Sequence, residues 1–130
     1  MSMNDSLANA LSSILNDEKI GKHESTTAPS SKIIRKVLGV IKDNGYIGDF
    51  EEIKNGRGDS IKINLLGNIN KCGVIKPRYS VKNDQFEKFE KRYLLARGMG
   101  ILILSTPTGI MSHEDAKKKQ IGGKLLAYCY

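Results

Sequence analysis

The sequence predicts an α+β fold in two small lobes, and three observations predict it. The first half alternates helical and strand periodicities in the order helix, strand, helix, strand, strand. The second half reads as mostly β with short helices between the strands. The charge balance changes where turn residues cluster at Gly67 and Asn68: residues 1–68 carry nine Lys or Arg against nine Asp or Glu, and residues 69–130 carry twelve against five. We therefore expect an N-terminal α/β lobe over residues 1–68 and a C-terminal lobe over residues 69–130 that supplies the whole formal charge of +7.

Through residues 5–20, Leu7, Leu11, Ile14 and Leu15 recur on one helical face, with Asn4 or Asp5 available as a cap and Gly21 as a stop. Polar residues 22–27 lead into a short strand candidate. Beyond Pro29, Ser30 or Ser31 can cap a second helix striped by Ile33, Ile34, Val37, Leu38 and Ile41 and ended by Asn44 and Gly45. Residues 46–53 and 60–66 read as strands, the second alternating through Ile61, Ile63 and Leu65, with residues 55–59 as the hairpin loop. A short strand at Val74 and Ile75 precedes Pro77, and Asp84 can cap a helix that puts Phe86, Phe89 and Tyr93 on one face. Ile101 to Leu104 is uniformly apolar between Gly100 and Pro107, as in a strand covered on both faces. Leu125 to Tyr130 reads as the last strand.

At 130 residues the chain can bury roughly two-thirds of its unfolded surface, enough for a core without staples. Cys72 and Cys129 have no close partner for a metal knuckle, and no basic start with an apolar core opens the sequence. The longest apolar runs are far too short to cross a bilayer. A cytoplasmic protein with reduced thiols and no membrane contact is the expectation.

Catalytic motifs fail one by one. Ser105 lacks the flanking glycines of a nucleophile elbow, and Gly98 with Gly100 lacks the third glycine of a dinucleotide loop. His113 followed by Glu114 resembles the start of a zinc-protease helix, but Lys117 stands where the second histidine belongs and only His23 remains. Arg57, Gly58 and Asp59 read as turn chemistry in the hairpin loop. No catalytic residue, metal or cofactor is expected.

What remains is the basic half. Clustered cations concentrate polyanions and release counterions on binding, which makes nucleic acid the favoured partner class. After the apolar strand, Ser105, Thr106, Thr108 and Gly109 place short donors and acceptors on a stiff turn, suited to the phosphates, 2′-hydroxyls and splayed bases of structured RNA. Gly122 and Gly123 permit close approach of another backbone, with Lys124 beside them for a phosphate. Lys76 and Arg78 add charge, and Tyr79 adds a stacking face. Ser112 with Asp115 three residues on reads as a helix cap, and Lys117, Lys118 and Lys119 as a solvated face. Taken alone, the residues describe an RNA-binding module.

The run Ser105, Thr106, Gly109, Ile110, Met111, Ala116, Gly122, Gly123, Lys124, with the apolar-aromatic end at Tyr130, resembles the universal small-subunit ribosomal protein numbered eight, in its archaeal and eukaryotic branch. The likeness extends over nearly the whole chain, through Leu7, Ala10 and Leu11, through Gly45, Tyr46, Ile47 and Gly48, and through residues 70–75 with Pro77 and Arg78. This resemblance implies a two-domain α+β protein that binds an irregular stem in the central domain of small-subunit rRNA, acts early in its assembly and has no catalytic activity. It implies neighbouring small-subunit ribosomal proteins as partners, a cytoplasmic, ribosome-bound location, and a monomer off the ribosome. By position, Ser105, Thr106, Thr108 and Gly109 would recognise an unpaired base, with Gly122, Gly123 and Lys124 lining the same face. Lys76, Arg78 and Tyr79 would contact backbone or stack, and Lys32 would meet an adjacent minor groove. Pro107 departs from bacterial members, which vary between polar residues there. The competing expectations are a translational regulator acting on an mRNA stem and an enzyme of unknown type.

Overall fold

The computed structural model describes residues 6–27, 30–54, 59–94 and 99–130. The chain divides into two compact units, one ending at Lys71 and the other running from Cys72 to Tyr130. Helices and antiparallel sheets share both units, as the α+β reading expects. The expected caps Asn4 and Asp5, and Asn55 to Gly58 of the hairpin loop, lie outside the described residues.

The first unit holds α1 (Ser6–Ile20), β1 (Glu24–Thr27), α2 (Lys32–Asp43), β2 (Ile47–Ile53) and β3 (Ser60–Leu65). Its sheet has the order β1-β3-β2. In the register Ser25 and Phe50 flank Ile63, while Thr27 and Glu52 flank Ile61, so these side chains share one face. Ile61 and Ile63 are wholly buried there, with α1 packed on β1 and α2 on β2. Helix α2 forms because Ile34, Val37, Leu38 and Ile41 fall at helical spacing and bury together. The Ser31 hydroxyl accepts the Ile34 N–H at 3.3 Å to start it, and Gly45 at φ +82° follows its end.

A polar clasp fixes the first turn of α2 to β2. Arg35 donates to Glu52 at 2.7 Å and to the Ser30 hydroxyl at 2.8 Å. The Ser30 hydroxyl donates in turn to Glu52, and that bond is the main cause holding the carboxyl below its ordinary pKa.

The second unit holds β4 (Cys72–Val74), β5 (Ser80–Val81), α3 (Phe86–Tyr93), β6 (Ile101–Thr106), β7 (Gly109–Ser112), α4 (His113–Lys119) and β8 (Gly123–Cys129). Strand β8 is central: β6 pairs along one side of it, and β4 and β5 pair along the other. Leu102, Leu104, Met111 and Leu125 pack with Phe86 and Phe89 of α3 and Ala116 of α4 into one core. Cys72 and Cys129 are buried and lie directly opposite one another across β4 and β8.

Several boundaries differ from those read in the sequence. Strand β6 runs on through Thr106, because Ser105 is still paired to both Ile110 and Lys124. Strand β8 begins at Gly123, and α4 begins at His113 under the Ser112 cap, whose hydroxyl accepts the Asp115 N–H at 3.3 Å. Asp84 does not cap α3; Gln85 occupies the cap position, with no side-chain bond to the helix. The two-residue β5 and the four-residue β7 carry too few residues to show periodicity and emerge only from pairing.

The first sheet contains one unsatisfied group among the described residues: the Ser25 hydroxyl is buried without a hydrogen-bond partner. Ser25→Ala deletes only that hydroxyl. It is expected to raise stability by about 1 kcal/mol, since an unpaired buried hydroxyl is a net cost. A denaturant midpoint that falls instead would mean that the hydroxyl is satisfied in solution.

Candidate nucleic-acid interface

The register of β8 builds a polar row. Lys124 lies opposite Ser80 of β5 on one side and Ser105 of β6 on the other, and Ser105 lies opposite Ile110 of β7. Directly opposed side chains share a sheet face, so Ser80, Lys124 and Ser105 form one line across three strands. All three are exposed, whereas Val81, Leu104, Met111 and Leu125 at adjacent positions turn into the core. Among the described residues Lys124 has no carboxylate partner. The result is an uncompensated ammonium between two hydroxyls on a rigid sheet.

The two glycines make this row possible. A Cβ at Gly123 would drive into the carbonyl oxygen of Ser105, and one at Gly122 into the carbonyl oxygen of Val81. The backbone that approaches them is therefore the chain's own. Gly122 and Gly123 act as spacers that let β8 run between β5 and β6, which sets Lys124 beside both serines.

Past Ser105 the hairpin turns through Pro107 and Thr108, with Thr106 opposite Gly109. Thr106 was expected on an exposed turn, but it is 8 % exposed and its hydroxyl works inside the protein. It donates to the Gly109 carbonyl at 2.7 Å and accepts the Thr108 N–H at 3.3 Å. Gly109, at φ +128°, takes a conformation that L residues rarely adopt. Thr106 and Gly109 thus shape the turn, leaving Ser105, Pro107 and Thr108 at the surface.

Lys76 and Arg78 are exposed in the segment between β4 and β5. Tyr79 is half-buried and turns toward α3, its ring 5.5 Å from Phe89. That places it on the helical side of the sheet, away from the side shared by Ser80 and Lys124. Lys32 belongs to the first unit, exposed in the first turn of α2, and Lys36 is exposed one turn later. Sequence reasoning missed Ser80, for which only the register gives a signal, and Lys36, which the i, i+4 spacing from Lys32 could have shown.

A buried cluster anchors the end of the hairpin. His113, 2 % exposed, accepts the Leu102 N–H on Nδ1 at 3.0 Å and sets Nε2 at 3.1 Å from Glu90. Lys117 also bonds Glu90, so one α3 carboxylate holds two residues of α4. Because Nδ1 accepts, the imidazole is neutral with its proton on Nε2. Burial is the main cause lowering the His113 pKa; Lys117 pushes the same way, and Glu90 opposes both. Among the described residues, no three His, Cys, Asp or Glu side chains gather to hold a metal ion, and no helix is long and apolar enough to cross a membrane.

Two predictions come from this geometry. Gly123→Ala should cost about 1 to 3 kcal/mol as β6 and β8 are forced apart; an unchanged denaturation midpoint would show that the strands accommodate a methyl. His113 has a folded pKa below its unfolded value of 6.5, so the unfolded chain binds the proton first. Stability should therefore fall as pH drops below about 6.5, and His113→Asn, which keeps an acceptor near the Nδ1 position, should flatten the dependence between pH 7.5 and 5.5. Parallel pH profiles for the two proteins would refute the assignment.

A polar row on a rigid sheet, in the half of the chain that carries the cationic excess, is the setting in which comparison with known proteins becomes informative. The family model for ribosomal protein S8 matches residues 5–130, which spans both units. The chain belongs to the ribosomal protein S8 family, and it is accordingly a structural, rRNA-binding protein of the small ribosomal subunit.

Proposed function

We propose that this protein recognises an irregular stem in the central domain of small-subunit rRNA and holds it in its folded form during assembly. The observation that carries the proposal is the Ser80, Lys124, Ser105 row, a cation between hydroxyl groups with no carboxylate among the described residues to neutralise it. Hydroxyls fixed on a sheet select a surface by shape and hydrogen-bond position, as recognition of structured RNA requires. In this reading Ser105 and Thr108 meet an unpaired base or its ribose, and Lys124 meets a phosphate. Thr106, Gly109, Gly122 and Gly123 hold those groups in place from behind. Lys76 and Arg78 add backbone contacts, and Lys32 with Lys36 offers charge to an adjacent groove. The protein acts as a monomer off the ribosome.

The test is a titration against the irregular stem and against the same stem regularised to plain duplex, at two salt concentrations. Tight binding that prefers the irregular stem at both salts is expected. Ser105→Ala should erode that preference with little effect on stability. Lys124→Ala should lower the slope of log K against log salt by roughly 0.9, the share of one phosphate on duplex-like RNA. Equal binding to both stems, collapsing with salt, would reduce the protein to a basic surface. Preference for an mRNA stem over the rRNA stem would make it a regulator instead.

A further inference from the structure

A second surface lies on the helical side of the C-terminal sheet, where Phe89, Tyr79, Arg92, Tyr93, Tyr128 and Tyr130 follow one another. The Arg92 guanidinium sits 5.5 Å from the Tyr79 ring and 5.4 Å from the Tyr93 ring. Tyr93 lies 5.6 Å from Tyr128, and Tyr128 stacks on Tyr130 at 6.3 Å. The four tyrosines are half-buried, with their inner parts on the core and the rest open to solvent. Tyr128 is paired with the core residue Leu102, which puts it on the face opposite Lys124.

Among the described residues the charge of Arg92 meets no carboxylate. Helix α3 offers two carboxylates, and both are engaged elsewhere: Glu87 with Lys91 at 3.5 Å, and Glu90 with His113 and Lys117. Among the described residues no other carboxylate reaches Arg92. A guanidinium laid against aromatic faces is held in orientation while its in-plane N–H groups stay free, and that fork fits a phosphate better than an ammonium does. Lys88, at 5.6 Å from the Phe89 ring, and exposed Arg78 beside Tyr79 extend the positive charge along the strip.

We infer that this strip is a second RNA contact, in which Arg92 grips a phosphate and the solvent-exposed parts of the tyrosines beside it pack against the adjoining ribose. The inference rests on the rRNA reading above and adds a binding surface to it. RNA is favoured over an acidic peptide because the strip sets an oriented guanidinium, suited to a phosphate, beside part-exposed tyrosines that give the adjoining sugar both polar and apolar contact. The Lys76 to Arg78 segment joins β4 and β5, which pair along the same side of β8. An RNA that follows this edge touches the serine row on one side and the tyrosine strip on the other.

The test uses the full chain bound to the irregular stem with its flanking single strands, mapped by hydroxyl-radical footprinting. Arg92→Gln should weaken binding roughly tenfold, as loss of a charge-assisted phosphate contact implies. It should also remove one patch of protection while leaving the patch that depends on Ser105. Arg92→Lys should recover only part of the loss, because the ammonium lacks the planar fork. Unfolding midpoints equal to that of the unaltered protein would confirm that the variants report binding and not folding. Unchanged affinity and footprint in Arg92→Gln overturn this inference alone. So does loss of a neighbouring ribosomal protein from reconstituted subunits with RNA binding intact. An unaltered protein that leaves the stem unprotected overturns the rRNA reading, and this inference with it.

Discussion

Backbone meets backbone without a side chain between them at Gly122 and Gly123, and the candidate interface depends on that contact. A methyl group at either position would occupy the space of a carbonyl oxygen, from Val81 in one case and Ser105 in the other. Strand β8 can therefore be central because Gly123, its first residue, and Gly122 just before it have no Cβ. Centrality has two consequences. The core face of β8 meets both short helices through Leu125, and its other face carries Lys124 between hydroxyls contributed by two neighbouring strands. A packing requirement and the presentation of the Ser80, Lys124, Ser105 row are thus met by the same two residues.

The hydroxyl residues of the hairpin divide between those turned inward to build the turn and those left at the surface. Thr106 and Ser105 are adjacent in sequence and project to opposite faces of β6, as the period of a strand requires. Burial assigns Thr106 to the turn, where its hydroxyl satisfies the Gly109 carbonyl and the Thr108 N–H. An internal hydrogen bond of this kind contributes about 1 kcal/mol, while leaving those groups unpaired would cost more. The other end of the hairpin is held by a similar economy. Ser112 caps α4, and His113 supplies the acceptor that the Leu102 N–H needs. Glu90 then ties that histidine to α3, so the hairpin is braced at its turn and at its base.

Where the sequence was legible, one element carried its own signal. Helix α2 shows five apolar residues, Ile33, Ile34, Val37, Leu38 and Ile41, after a serine cap and before Asn44 and Gly45, and the structure buries all of them but Ile33, which is half-buried. Ile61, Ile63 and Leu65 reveal a half-buried strand by alternation. Where it was not legible, the answer lay in pairing between distant segments. Two-residue β5 has no period, so nothing marks Ser80 until its register with Lys124 is known. Asp84 has the chemistry of a helix cap, but the helix starts two residues later and Gln85 takes the position. Thr106 and Ser105 look alike as letters, and only the direction of each side chain separates a brace from a contact. The basic excess is visible by counting, whereas only the structure shows that Glu87 and Glu90 of α3 are engaged by residues other than Arg92.

Electrostatics and shape carry different parts of recognition here. The C-terminal half, with twelve cations against five anions, attracts any polyanion and gives no preference among sequences. Lys124 alone accounts for about one phosphate, too little to rank one stem above another. Discrimination has to come from groups whose positions do not adjust to the ligand. The Ser105 hydroxyl rides on a strand paired on both sides, beside a glycine that locks the spacing and before a turn that Thr106 closes from within. Under the proposed function, a stem whose irregular geometry matches that fixed array would bind without reorganising the protein, and a regular duplex would have to distort to reach the same groups. Preorganisation of this kind turns a modest number of polar contacts into selectivity, because the ordering cost is met when the protein folds and not when the RNA arrives.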